Sequence, residues 1–200
     1  KPYGDTPDKG ILMVNTELTP LSNPKFESGP PSIESIELSR VIDRGLREGE
    51  AMDVKKLCVE VGEKVWMVNV DVCPINHNGN LMDLGALAAM AALHNARFPE
   101  IDADGKVDYK KKSNNKLPIS EVPLPVTVIK IGEHFLIDPT ENEENVLDAR
   151  LTVTFRNDGN MCAMQKGGEG PLSAEDIQKM IDLAEVTSKK NREILNKAVK

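Results

Sequence analysis

The sequence predicts one large domain of mixed strands and helices spanning residues 1–200, and three observations carry that prediction. With 200 residues, 40% hydrophobic and 28% charged, the chain can bury a sizeable core and still present a water-compatible surface. Apolar residues alternate along Lys64 to Cys73, the period of a half-buried strand, whereas Leu38, Val41, Ile42, Gly45 and Leu46 repeat at the spacing of one helical face. From Val126 onward several strand-like runs follow one another before a final helix, so the order is strand-rich and then helical again.

Ile11 to Leu18 has strand composition, and the Pro/Gly/Ser-rich stretch from Pro20 to Pro31 is a loop. A helix begins near Ser32 and packs the face of Leu38, Val41, Ile42, Gly45 and Leu46 on a sheet. In Lys64 to Cys73 the side carrying Trp66, Val68, Val70 and Val72 is the better buried one. Alanines crowd Leu81 to Ala96, which fits a central helix lying close against its neighbours. Asp102 to Lys116 is polar and locally basic and reads as an exposed loop or small hairpin excursion, whose lysines are solvated or touch RNA. Strands follow at Val126 to Ile131, Phe135 to Asp138, Ala149 to Phe155 and Asn160 to Gln165. Ser173 with Asp176 forms a capping box, and Leu172 with Ile177 a hydrophobic staple, opening a helix that runs almost to Lys200. Lys166-Gly-Gly-Glu-Gly170 lacks the order of a phosphate loop and reads as a flexible connector.

The formal charge of −7 excludes a chain that coats nucleic acid by bulk electrostatics, so any contact of that kind must be local. Cys58, Cys73 and Cys162 are odd in number and far apart, and His77, His94 and His134 show no ligand spacing, so neither a disulfide framework nor a metal site is expected. No apolar run is long enough to cross a bilayer and no signal pattern opens the chain, which predicts a soluble, cytoplasmic protein. The absence of an initiating Met close to the first strand points to a natural chain that extends upstream.

The stretch Ile75-Asn-His-Asn-Gly-Asn-Leu-Met-Asp83 joins a strand to a helix, and such a turn aims free N–H groups along the positive end of the helix dipole, where anions bind. Its side chains oppose that use. No Lys or Arg lies between Lys64 and Arg97, and Asp83 falls in the first helical turn, so Asn80 with Asp83 is expected to cap the helix.

LMVNTELTPLSNP, GPPSIESIELSRVIDRGLREGEAMD, KVWMVNVDVCPINHNGNLMD and FLIDPTENEENVLDA, in this order, resemble the RNase PH superfamily, and within it the non-catalytic RNase PH-type subunit of the archaeal exosome ring. The family's N-terminal strand-rich segment is missing from the sequence. The resemblance implies an α+β fold of the ribosomal protein S5 second-domain type, with mixed sheets packed against helices. It also implies a reaction, phosphorolysis, in which inorganic phosphate attacks the last phosphodiester of an RNA 3′ end. Active relatives hold that phosphate with a Gly-Gly-Thr-Arg-like turn and use a pair of aspartates six residues apart. Here Leu81 and Met82 fall where relatives use Thr and Arg. Aligning Asp138 with the strand-end aspartate puts Glu144 and Arg150 at the paired positions, and a register slipped by two offers Asp148 instead. A guanidinium neither donates a proton at neutral pH nor binds a cation, so the resemblance implies no catalytic residue, no cofactor and no metal in this chain.

Arg40, Arg44 and Arg47 form a stripe opposite the apolar face of their helix, at about 100° per residue. Spacing alone allows a solvated face with ion pairs such as Asp43 with Arg47. The resemblance implies instead that these arginines bind the backbone of single-stranded RNA near a sibling's active site. The partners it implies are that catalytic RNase PH-like sibling, in a hexameric ring of three heterodimers, and RNA-binding cap proteins. Two other readings stay open: an independent phosphorolytic exoribonuclease using Glu144 and Asp148, and a stand-alone RNA-binding module.

Overall fold

The computed structural model describes residues 1–102 and 106–199; the tip of the expected polar excursion, Ala103 to Gly105, and the end of the chain at Lys200 lie outside the described residues. Strand β1 (Ile11–Thr16) leads into helix α1 (Ile33–Glu48), a short antiparallel pair β2 (Cys58–Glu60) and β3 (Lys64–Val65), and strand β4 (Met67–Val72), which pairs in parallel with β1. Helix α2 (Leu81–Asn95) precedes a hairpin of β5 (Arg97–Ile101) and β6 (Val107–Lys116). Strands β7 (Leu124–Ile131), β8 (His134–Ile137), β9 (Ala149–Phe155) and β10 (Met161–Gly167) form an antiparallel sheet in the order β10-β9-β7-β8. A one-turn helix α3 (Glu141–Glu144) links β8 to β9, and α4 (Ala174–Ala198) ends the fold.

These elements stack in layers: the β1–β4 pair, then α1 and α2, then the four-stranded sheet, then α4. Ser32 starts α1 by accepting the Ser35 N–H at 3.1 Å, and Leu38, Val41, Ile42, Gly45 and Leu46 are buried as their spacing predicts. Glycines let the layers approach. A Cβ on Gly85 would lie 2.9 Å from Ile42 Cδ1, so α2 rests directly on α1, while Gly45 sits over Thr154 of β9. Strand alternation divides the large sheet. Leu151, Val153 and Phe155 pack with Met180 and Ala184 of α4, whereas Arg150, Thr152 and Thr154 face α1 and α2. Ser173 caps α4 with the expected box, accepting the Asp176 N–H at 3.1 Å.

Several sequence expectations need correction. The strand from Lys64 breaks at Trp66, whose N–H donates to Leu57 O at 2.8 Å while its carbonyl accepts the Ile11 N–H at 3.1 Å. Of the two forms expected for the polar excursion it takes the hairpin, and its second strand, β6, is ten residues long and pairs with β5. Lys166 to Gly170 is fitted to β9 and is no free connector: a Cβ on Gly167 would stand 2.5 Å from Arg150 Cζ, and the Gly170 N–H donates to Asp148 O at 2.7 Å.

Candidate nucleic-acid interface

Arg40, Arg44 and Arg47 all stand exposed on α1, away from its buried face. Their partners differ. Arg44 Nη1 donates to Gln165 Oε1 of β10 at 2.7 Å. Arg47 Nη2 donates to Asp43 Oδ1 at 2.7 Å and to the backbone oxygen of Leu12 at 3.1 Å, so it caps the outward edge of β1 as well as presenting charge. Its hydrogen bond to Asp43 raises its pKa further above the ordinary arginine value. Among the described residues Arg40 has no hydrogen bond or ion pair, which leaves its guanidinium fully available. Arg40 and Arg47 line a groove of about 950 Å³ between α1 and β1, where Lys9 and Lys55 add positive charge and Asp43, Glu50 and Asp53 offset most of it. Sequence reasoning missed both lysines, because one precedes a strand and the other lies in a single 3-10 turn, and no periodic pattern links them to α1.

The turn before α2 has the shape of an anion site. Gly79 is left-handed at φ +95°, and a Cβ there would stand 2.1 Å from Pro139 O, so the position requires glycine. Asn80 follows at φ 53° and donates its N–H to Glu144 Oε1 at 2.8 Å. Its Nδ2 donates to Asp138 Oδ1, also at 2.8 Å. The helix N-terminus thus keeps its preference for an anion and satisfies it with Glu144.

The expected cap therefore fails on both residues. Asn80 makes no side-chain cap bond, because its amide is turned to Asp138. Asp83 points inward and accepts the Thr127 N–H at 2.9 Å and the Thr127 hydroxyl at 2.8 Å. Burial pushes its carboxyl up to about 7, against the lowering effect of those bonds.

The paired strand-end positions are equally committed. Asp138 and Glu144 meet at Asn80, while Arg150 pairs with Glu37 of α1. Asp148, the alternative acid, accepts the Gly132 N–H at 2.7 Å and so serves a turn. A cavity of about 250 Å³ is lined by Asn80, Leu81, Met82, Glu144, Arg150 and Lys25. Both of its cations are paired, Arg150 with Glu37 and Lys25 with Glu141 at 3.1 Å. A phosphate entering this space would meet the Glu144 carboxylate and no unpaired cation. Among the described residues no cluster of three or more His, Cys, Asp or Glu side chains could hold a metal ion, and no helix is long and apolar enough to cross a membrane.

These layers, with an Asn-Gly turn facing paired strand-end positions, have the RNase PH architecture. Residues 1–99 match the 3′ exoribonuclease family, domain 1, and residues 121–187 match its domain 2. The chain belongs to the 3′ exoribonuclease family. It is 43% identical to exosome complex component Rrp42 of Methanothermobacter thermautotrophicus over 92% of this chain and 68% of that one. Against the Rrp42 of Archaeoglobus fulgidus the identity is 45%, over 96% of this chain and 72% of the relative. Among solved structures, a chain of the Archaeoglobus fulgidus exosome with RNA bound to the active site superposes with a TM-score of 0.88 at 45% identity, covering 96% of this chain and 74% of that one. A chain of an archaeal exosome core gives 0.83 at 40% identity, covering 98% and 72%.

Proposed function

We propose that the chain is the non-catalytic, RNA-positioning subunit of an archaeal exosome. In this reading it works in the cytoplasm beside a catalytic RNase PH-like sibling, three such pairs close a hexameric ring, and RNA-binding cap proteins sit on it. The observation that carries the reading is Glu144: its carboxylate takes the Asn80 N–H at 2.8 Å, in the turn where active relatives hold phosphate. Phosphorolysis needs a phosphate dianion anchored in line with the last phosphodiester, and a site that already holds an anion opposes a second one. Arg150 adds a second obstacle, since it can neither protonate a leaving group nor bind a cation in place of an acid. Against the independent-enzyme reading, Glu144 and Asp148 each commit one carboxylate oxygen to a backbone N–H group.

What the chain offers instead is the arginine face of α1. Arg40 and Arg47, with Lys9 and Lys55, line one groove that Asp43, Glu50 and Asp53 also line, and Arg44 stands beside them on α1. Contacts of this kind hold the RNA backbone without reading its sequence. The test incubates the purified chain with single-stranded RNA and phosphate. No nucleoside diphosphate is released until the sibling is added, when a particle of six subunits forms and degradation begins. Release by this chain alone overturns the reading, and a monomer that binds RNA in the sibling's presence without joining it favours a stand-alone RNA-binding module.

A further inference from the structure

We propose that Glu37 and Arg150 form a positioning clamp that fixes α1 on the large sheet in the orientation that presents its arginines to RNA; this inference rests on the function proposed above. Glu37 lies seven residues before Arg44, which places the two on nearly the same side of α1 about two turns apart. Both reach the same pair of strands. Glu37 pairs with Arg150 of β9, and Arg44 donates to Gln165 of β10 at 2.7 Å. Arg150 stands directly opposite Gly167 in the β9–β10 ladder, and Thr152 opposite Gln165, so the two ties, one on each strand, fall at consecutive same-face levels of that ladder.

The sheet is shaped to hold this guanidinium. An added Cβ on Gly167 would stand 2.5 Å from Arg150 Cζ, 2.7 Å from Nε and 2.8 Å from Nη2, so the guanidinium packs against the Gly167 backbone and an alanine there displaces it. Arg150 Nε is buried and makes no hydrogen bond, which leaves Glu37 as the partner that holds the group in place. The Arg150 side chain is 19% exposed and that of Glu37 38%, so the pair is partly withdrawn from solvent screening. Neutralising Glu37 would strand a largely buried cation, which then turns toward another acceptor and releases the middle of α1. In this arrangement the residue that replaces an acid at the strand end has acquired a different task, holding the helix that holds the RNA.

The test uses the ring assembled with its catalytic sibling and compares Glu37→Gln, Gly167→Ala and a combined Arg40→Ala/Arg44→Ala variant. RNA affinity, KM and kcat are measured for each, with native mass confirming assembly. Removing a carboxylate from an RNA-facing helix strengthens RNA binding if Glu37 acts only as a charge. The clamp predicts the opposite: Glu37→Gln weakens RNA binding roughly fivefold and raises KM in step, with kcat unchanged because the chemistry belongs to the sibling. Gly167→Ala, which removes no charge but displaces Arg150, gives a loss of the same kind. Unchanged or tighter binding by both clamp variants, alongside weakened binding by the arginine variant, overturns the clamp and leaves the RNA-binding role standing. Unchanged binding by all three overturns both, and a fall in kcat for Glu37→Gln overturns the clamp by placing the pair in the chemistry.

Discussion

A carboxyl group buried as deeply as Asp83, with the Thr127 N–H on one oxygen and the Thr127 hydroxyl on the other, holds its proton to about pH 7. Its unfolded counterpart titrates near 3.9, so between roughly pH 4 and pH 7 the folded state binds the proton more tightly. The stability this group contributes is therefore complete below about pH 4 and is lost as pH rises to about 7, at about 1.4 kcal/mol per unit. Urea unfolding at pH 5 and pH 8 is expected to show that decline. Asp83→Asn, which offers Thr127 the same donor and acceptor as the protonated acid, should flatten it, and an unchanged pH dependence in the variant would contradict the assignment. At the same scale the arginines of α1 separate. Arg40→Ala should change stability within about 0.5 kcal/mol, whereas Arg47→Ala removes a hydrogen bond to Leu12 O and should cost about 1 kcal/mol of unfolding free energy in urea. The exposure of all three was legible from helical spacing. The double duty of Arg47 was not, since Leu12 lies 35 residues away and no local pattern pairs them.

Elements whose signals are local were read well and those held by distant contacts were not. Ser32 and Ser173 announce their helices by bonding three residues ahead, and the faces of α1 and of β4 follow from periods of 3.6 and 2. The β5–β6 hairpin is legible only as an alternative to a loop, because β6 is polar along most of its length and its register with β5 shifts twice. The turn before α2 has the legible shape of an anion site with side chains that oppose a free anion, but the group that fills it comes from α3, and the Asn80–Glu144 contact spans 64 residues. That turn makes its own prediction. Gly79→Ala meets Pro139 O at 2.1 Å from a left-handed backbone, so the turn must move away from α3 and release Glu144. A loss of more than about 1 kcal/mol in chemical unfolding is expected, and a neutral substitution would show that the approach of Pro139 is not what demands glycine.

Across the whole molecule, two sheets enclose α1 and α2, and the two ends of that middle layer do different work. The end where α2 begins is closed by Glu144, while the solvent side of α1 carries its arginines beside the β1 groove. The division predicts that RNA affinity depends on salt through α1 and not through the closed cavity. Each phosphate contact removed from single-stranded RNA lowers the slope of log affinity against log salt by roughly 0.7. In the ring assembled with its catalytic sibling, Arg40→Ala/Arg44→Ala is therefore expected to flatten that slope by about 1.4 units and to slow degradation, with base preference unchanged. An intact variant ring with the parent's affinity, salt slope and degradation rate would contradict the account, because α1 would then be a solvated face and the chain would position no RNA.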